Sequence, residues 1–408
     1  MVGRIKKDKQ CWVQRIQCSL MASLVMGISA CAGTGGGVSP IPEDSIRKQE
    51  QTPVKPHAAN VIFSWLQFPE DVDVRLFSAQ KLSQNGQILI GTAPMLVSDA
   101  ATRQEAPKVF YWDLARHKWL WLNNLEYENG VALMGMDGAG NHVFGAQWVW
   151  QKSTGQMTPL PSDFWAYVLR DEGNFLGAGL NSTIEMLSVD GSKKEIWSVE
   201  DVLNLDSRGN IKDNIWVADR GVLVSSTMEQ CLLDEACDQA YFTRWTPEQG
   251  KSTLSAQMPE RPPIFFQSDA GPQQVSPNGQ WLAGAVGQNL YLWDDQGQMK
   301  FLGGFDNGGA VVALSDDGKI VVGYTIGNQT KQKRSWIWTE TEGLNWLDEW
   351  LRNHGVAAED VSPNMQVKLL SPDRRVIIGV TQPEEGADPQ TPPRWWKVDL
   401  SEHLRVLV

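Results

Sequence analysis

Short runs of apolar or alternating residues, each bounded by turn-forming residues, recur along most of the chain. The clearest unit spans residues 310–347. It predicts a strand ending at a tight turn over 315–318, a buried strand over 320–323, a third strand over 335–339, and a last strand after a turn at Gly343. Such a four-stranded sheet is too small to bury both of its faces alone, so it predicts a repeat architecture.

The same order of turns and strands recurs, with turn residues at positions 86, 140, 173, 221, 279, 318 and 374. Their mean spacing is 48 residues. This spacing matches the repeat length of four-stranded propeller blades, which is roughly 40–50 residues. A ring of such sheets buries both faces of every blade. The sequence therefore predicts an all-β fold, a single β-propeller of about seven four-stranded blades over residues 58–408. The aromatic run at 61–66 is expected to complete the last blade, since propellers often close by joining the two ends of the chain.

Residues 302–347 resemble the bacterial extracellular HAF repeat. That repeat has an Ala-x-Ser-x-Asp-Gly turn, a Val-Val-Gly strand, an aromatic-x-Trp strand and a Gly-x-x-x-Leu segment. The matching positions are Ala313, Ser315, Asp317, Gly318, Val321, Val322, Gly323, Trp336, Trp338, Gly343 and Leu347. Residues 276–279 are similar to the repeat of TolB-type propellers. The resemblance implies an exported bacterial propeller, in which residues 346–355 read as a short helix after the repeat.

The first 30 residues predict a signal peptide, with a basic start followed by an uncharged, mostly apolar run over 19–30. That run is shorter than the roughly 20 residues that a membrane-spanning helix needs. The sequence Ile-Ser-Ala-Cys at 28–31 resembles the lipobox of bacterial lipoproteins, which implies cleavage before Cys31 and acylation of Cys31. Residues 31–57 are rich in Gly, Pro and charged residues, and they predict a lipidated N-terminus and flexible tether.

The exported part of the chain is acidic. The whole chain has a formal net charge of −12, and it is −16 once the first 30 residues, with five bases and one acid, are set aside. This charge repels phosphate backbones, so we expect no nucleic-acid partner. Export also bears on Cys231 and Cys237, which are a candidate disulfide in an oxidising compartment. A metal site built on this pair lacks a nearby His.

Sequence motifs for chemistry are missing. The five His show no HxxH or HExxH spacing, and no G-x-S-x-G is present, so we expect no catalytic residue, metal site or cofactor. Six Trp recur at one repeat position and are expected to lie in the core: Trp112, Trp150, Trp245, Trp293, Trp338 and Trp396. Trp outside that position are candidates for stacking on a sugar or peptide ligand: Trp119, Trp121, Trp165 and Trp395.

These patterns together predict a non-catalytic lipoprotein, anchored by its lipid in the outer membrane at the periplasmic or cell-surface face. Its propeller is expected to bind or scaffold a protein or glycan partner. One alternative is an outer-membrane assembly factor, which rests on fold analogy. Another is a propeller glycan hydrolase or lyase, which requires paired carboxylates in a cleft.

Overall fold

The computed structural model describes residues 46–47, 61–95, 107–122, 133–170, 173–179, 183–189, 191–202, 214–228, 239–257, 271–286, 288–326, 333–383, 388 and 391–406. Within these residues, seven antiparallel sheets form the blades of a β-propeller. The first strands of neighbouring blades contact each other around a central axis. The predicted all-β propeller with four-stranded blades is confirmed.

Two strands precede the first blade, namely β1 (Ile46–Arg47) and β2 (Ile62–Trp65). The strands of each blade are given from the innermost to the outermost. Blade 1 contains β3 (Ser78–Leu82), β4 (Ile88–Ala93), β5 (Lys108–Asp113) and β6 (Lys118–Trp121). Blade 2 contains β7 (Leu133–Met136), β8 (His142–Gly145), β9 (Trp148–Gln151) and β10 (Gln156–Pro159). Blade 3 contains β11 (Phe164–Leu169), β12 (Asn174–Gly179), β13 (Thr183–Ser188) and β14 (Lys193–Ser198). Blade 4 contains β15 (Asn214–Val217), β16 (Leu223–Met228), β17 (Gln239–Thr246) and β18 (Gly250–Gln257).

Blade 5 contains β19 (Gly271–Val275), β20 (Leu282–Val286), β21 (Asn289–Trp293) and β22 (Met299–Phe305). Blade 6 contains β23 (Ala310–Leu314), β24 (Ile320–Ile326), β25 (Lys333–Thr339) and β26 (Gly343–Trp346). Blade 7 contains β27 (Met365–Leu370), β28 (Val376–Thr381) and β29 (Arg394–Asp399), with β2 as its outermost strand. The short helices in the described part of the chain are α1 (Val199–Val202), α2 (Leu347–Asn353) and α3 (Ser401–Val406), with 3₁₀ turns at Val74–Leu76 and Ala358–Asp360. The position of α2 confirms the helix predicted over 346–355.

The ring closes through β2, as the sequence predicted. This strand pairs with β29 from Ile62 opposite Asp399 to Trp65 opposite Trp396. The Phe63 ring packs on the Trp396 ring with centroids 6.3 Å apart. An N-terminal strand therefore completes a blade whose other three strands come from the end of the chain. The earlier strand β1 adds a fifth, outermost strand to blade 5.

All seven predicted turn residues adopt left-handed backbone conformations, with φ between 61° and 77°. Six are Gly, and the seventh is Arg374, whose Nη1 lies 2.8 Å from Asp317 Oδ2 on the neighbouring blade. Close packing adds a second reason for Gly. A Cβ on Gly318 would lie 2.5 Å from the Trp281 ring of blade 5. The turns are thus both tight bends and contacts between blades.

A Gly within the second strand of a blade allows a close approach between strands. A Cβ on Gly323 would lie 2.0 Å from the Ala310 carbonyl oxygen and 2.3 Å from the Trp336 ring. The register of β23 against β24 shifts between Val311 and Ala313, which marks a bulge at this place. Gly323 therefore lets an aromatic ring of the third strand cover the backbone next to the bulge.

In the described part of the chain, seven apolar clusters form the core, and each lies between two neighbouring blades. The six recurring Trp are all buried, with at most 6% of each residue exposed, which confirms their predicted place in the core. Each blade thus buries both faces against its neighbours, as in other repeat folds with nearest-neighbour packing. Among the described residues, none of the helices has the length and apolar character required to cross a membrane.

Candidate functional site at the mouth of the central channel

The turns that join the first and second strands of the blades meet around the axis at one end of the propeller. Contacts reach across this end, because Lys81 of blade 1 pairs with Asp219 of blade 4. A pocket opens there, and we call it the channel mouth. It is lined by Lys81, Leu82, Gln84, Met136, Asp137, Gly138, Asp219, Arg220, Pro277 and Pro372. Residues of the repeated turns thus supply most of the wall.

Hydrogen bonds join the turns into a frame. They link six of the seven neighbouring pairs of turns in the described part of the chain. These bonds are Gln84 N to Gly138 O (2.7 Å), Arg170 Nε to Arg220 O (3.1 Å), Arg220 N to Pro277 O (3.2 Å), Asn278 N to Asp316 Oδ1 (2.8 Å), Asp316 N to Pro372 O (2.8 Å) and Asp373 N to Gln84 O (3.1 Å). The mouth is therefore held by backbone geometry, and its side chains project from fixed positions.

Asp316 is an enclosed carboxylate of the frame. Its Oδ2 accepts a hydrogen bond from Gln84 Nε2 at 2.9 Å, and Arg220 Nη2 lies 3.8 Å from the same oxygen. Its Oδ1 accepts from the Asn278 backbone N–H. Burial raises the pKa of Asp316 above its ordinary value, although these donors and Arg220 oppose the shift. The carboxylate thus holds three turns together from blades 1, 5 and 6.

Two other charges of the mouth are more accessible to solvent. The Asp219 side chain is 36% exposed and that of Arg220 is 51% exposed. Asp137 is more enclosed; it accepts a hydrogen bond from the Asn141 backbone N–H at 2.7 Å and lies 2.7 Å from His142 Nδ1. The lining of the mouth thus carries two carboxylates and two cationic side chains, and Asp316 of the frame contacts one of these cations, Arg220.

The geometry suits contact with polar or charged groups on the surface of a partner. The pocket is shallow, and its cavity volume of about 10 Å³ is room for about one water molecule. Polar and apolar residues contribute about equally to its wall, whereas enclosed pockets for small molecules are larger and mostly apolar. A frame already fixed by hydrogen bonds loses little conformational freedom when a partner binds, which favours affinity. The mouth can therefore contact the surface of another protein through hydrogen bonds and ion pairs.

Three of the four Trp predicted as ligand-binding residues come together, but away from the mouth. Trp119 and Trp121 lie half-buried on β6, the outermost strand of blade 1. The Trp119 ring stacks on Phe110 at 4.4 Å, and Trp121 Nε1 donates to Asp71 Oδ2 at 3.0 Å. Trp395 is only 6% exposed, within the core between blades 7 and 1. These rings have packing roles in this structure.

Trp165 lies apart from them, half-buried on the innermost strand of blade 3. Cys31, Cys231 and Cys237, predicted as a lipidation site and a disulfide, lie outside the described residues. Neither of those predictions is tested by the coordinates.

The sequence analysis did not predict the mouth residues, although the positions of several of them within the repeated turns could have indicated them. Gln84, Asp219 and Asp316 each occupy the second position of a repeated turn. Equivalent positions of successive blades converge on the axis of a ring. The turns were interpreted only as bends, so their variable second positions were not combined into a surface. Lys81 lies on β3 and carries no repeat signal, so only the folded ring brings it to Asp219.

Comparisons with known proteins bear on the fold alone. No family model matches the chain, and no curated protein matches it. Among solved structures, the chain is similar to the β-propeller domain of Cps50 (Swd1) from Myceliophteria thermophila, at 12% identity and a TM-score of 0.44 over 83% of this chain and 98% of that one. It is also similar to the β-propeller domain of the Trilobed protease from Pyrococcus furiosus, at 10% identity and a TM-score of 0.48 over 82% of this chain and 95% of that one.

Proposed function

We propose that this chain is a non-catalytic binding module of a bacterial cell envelope. An acylated Cys31 anchors it in the outer membrane, and its channel mouth holds a protein partner through basic side chains of that partner. The observation that carries the proposal is the convergence of the repeated turns into one rigid, charged mouth. A fixed set of charges at the axis of a repeat fold is suited to recognition.

The charge of the molecule supports a basic partner. The chain beyond residue 30 carries a net charge of −16, and the mouth presents the carboxylates of Asp137 and Asp219 beside Lys81 and Arg220. A negative potential attracts a cationic partner and raises its association rate, and salt weakens this attraction. The same potential disfavours nucleic acids and acidic proteins.

The membrane anchor rests on the sequence at the N-terminus. A basic start, a short apolar run and a small residue before Cys31 resemble a lipoprotein signal. Several acyl chains, at about 0.8 kcal/mol for each buried CH₂ group, hold a protein on a membrane without a spanning helix. A Cys31→Ser chain is expected to leave the membrane fraction. If it stays there with the unchanged chain, the anchor is wrong.

The binding surface is tested with two matched variants. Asp219→Asn removes a carboxylate from the mouth. Glu340→Gln removes one from the turn between β25 and β26, at the outer rim of the same end, where it pairs with Lys300 and Lys319. Both changes replace a carboxylate by an amide beside lysine, and both shift the net charge equally. Any difference between the variants therefore reports position.

The measurement is chemical crosslinking of the full-length chain in intact cells, followed by mass spectrometry of the captured proteins. We expect Asp219→Asn to lower the yield of the main partner at least tenfold and Glu340→Gln to leave it within twofold. Higher salt is expected to lower the yield for the unchanged chain. Equal capture by both variants would refute the mouth as the binding surface, as would a main partner without basic residues at the crosslinked site.

A further inference from the structure

Three side chains with metal-ligating atoms meet in the interior, and none of them lines the channel mouth. They are Glu342, in the turn between β25 and β26, His354, directly after α2, and His403, in α3. One potential ligand atom from each lies within 4.8 Å of the others. The two His residues are almost fully buried, at 1% and 3% exposure. Three separate segments of the chain thus supply one compact donor set.

The neighbours of the cluster fix the direction of its donor atoms. His354 Nδ1 lies 2.7 Å from the Trp350 carbonyl oxygen, which only accepts hydrogen bonds, so Nδ1 carries a proton. The other ring nitrogen, Nε2, then faces Glu342 Oε1 at 3.0 Å. The second carboxylate oxygen, Oε2, accepts a hydrogen bond from Trp350 Nε1 at 2.8 Å. Such outer hydrogen bonds to a backbone carbonyl and a carboxylate are those that orient metal ligands.

The contact between His354 Nε2 and Glu342 Oε1 requires a positive charge. A neutral ring with its proton on Nδ1 presents a lone pair from Nε2, and two lone pairs at hydrogen-bonding distance repel each other. The site therefore attracts a cation, and both a proton and a metal ion meet this need.

We propose that Glu342, His354 and His403 bind one divalent transition-metal ion, with zinc as the best match. Two imidazoles and a carboxylate are a donor set that zinc accepts. Zinc holds such atoms at about 2.0–2.2 Å, which places neighbouring ligand atoms about 3.3 Å apart. The Glu342 and His354 atoms are already near this separation. The set is completed when the His403 atom, which lies within 4.8 Å of the other two, moves closer to them, and water fills the fourth position.

The metal acts on the closure of the ring. His403 lies on the C-terminal helix α3, directly after β29, and the Val61 backbone N–H at the start of β2 donates to the His354 carbonyl oxygen at 3.2 Å. Both chain ends that complete blade 7 thus meet at this cluster. A metal shared by Glu342, His354 and His403 ties α3 to blade 6 and to the segment after α2. This role is structural and independent of the proposed partner binding.

The test uses purified full-length chain, stripped with chelator and titrated with zinc and with cobalt(II). The His403→Gln variant removes one ligand, and the His142→Gln variant is the matched control, because His142 contacts only one carboxylate, that of Asp137, among the described residues. Metal content, melting temperature and the cobalt spectrum are measured for each chain. A Glu342→Gln chain serves as the second ligand variant.

We expect one zinc per unchanged chain, a rise in melting temperature on zinc addition, and a nitrogen- and oxygen-type cobalt spectrum without thiolate charge transfer. Both ligand variants are expected to bind zinc at least tenfold more weakly, and His142→Gln to bind as the unchanged chain does. Unchanged affinity in His403→Gln, a thiolate spectrum, or the absence of stabilisation by zinc would overturn the proposal. In these cases the cluster is a protonated His–Glu pair.

Discussion

At the scale of single residues, one buried hydroxyl organises each of the well-formed turns. Ser315 Oγ donates to Asp317 Oδ1 at 2.8 Å and accepts from the Ile320 backbone N–H at 3.1 Å. The same pair of bonds occurs at three other turns, at Ser83, Ser276 and Ser371. These four Ser are at most 1% exposed. The Ser-x-Asx pattern that these four turns share is thus a hydrogen-bonding motif that stabilises the turn.

We predict that Ser315→Ala lowers the free energy of unfolding by about 1–3 kcal/mol, because it leaves the buried Ile320 N–H without an acceptor. Chemical denaturation of the purified chain measures the change. Ser252→Ala is the control, since Ser252 is exposed and its hydroxyl lies 3.5 Å from its acceptor. That control is expected to change the free energy by less than about 0.5 kcal/mol. Equal effects of the two changes would contradict the role of the buried hydroxyl.

At the scale of elements, the N-terminal strand β2 secures the ring. The Trp65 side chain makes the main contacts that hold this strand in place. Its Nε1 donates to Asp360 Oδ1 at 2.7 Å, and the Arg394 guanidinium lies 3.5 Å from the centre of its ring. The aromatic pattern of β2 predicted the pairing with the last blade, because the third strands of the repeats have the same aromatic-x-Trp pattern. The pairing of β1 with blade 5 had no such signal, since a two-residue strand has no periodicity.

We predict that Trp65→Ala destabilises the chain by about 2–4 kcal/mol, somewhat less than a fully buried Trp would cost. Hydrogen exchange followed by mass spectrometry is expected to show faster exchange in β2 and β29 than in blade 3. Trp65→Phe retains the ring that stacks on Arg394 and is expected to recover about half of the loss. Uniform acceleration across all blades, or no acceleration in β29, would argue against a local fastening at the closure.

At the scale of the whole molecule, the sequence predicted the ring but not the sites. Blade number, turn positions and the buried Trp follow from the repeat, because each blade needs the same contacts with its two neighbours. The channel mouth depends instead on residues from different blades that meet only when the ring closes, such as Lys81 and Asp219. The Glu342, His354 and His403 cluster likewise has no motif spacing, since its members come from three elements. The sequence pattern favoured four Trp as ligand-binding residues over these polar residues. In the fold, three of those four Trp pack into one aromatic cluster.

The most direct measurement of the central claim is site-specific photo-crosslinking in intact cells. A photoreactive amino acid replaces Arg220 at the mouth in one chain and Arg116 at the rim in another, where the Arg116 side chain is 76% exposed. The account predicts a covalent adduct with one protein through position 220, weaker at high salt, and little or none through position 116. An adduct through position 116 alone, or no adduct through position 220 with the chain folded and present in the membrane fraction, would contradict it.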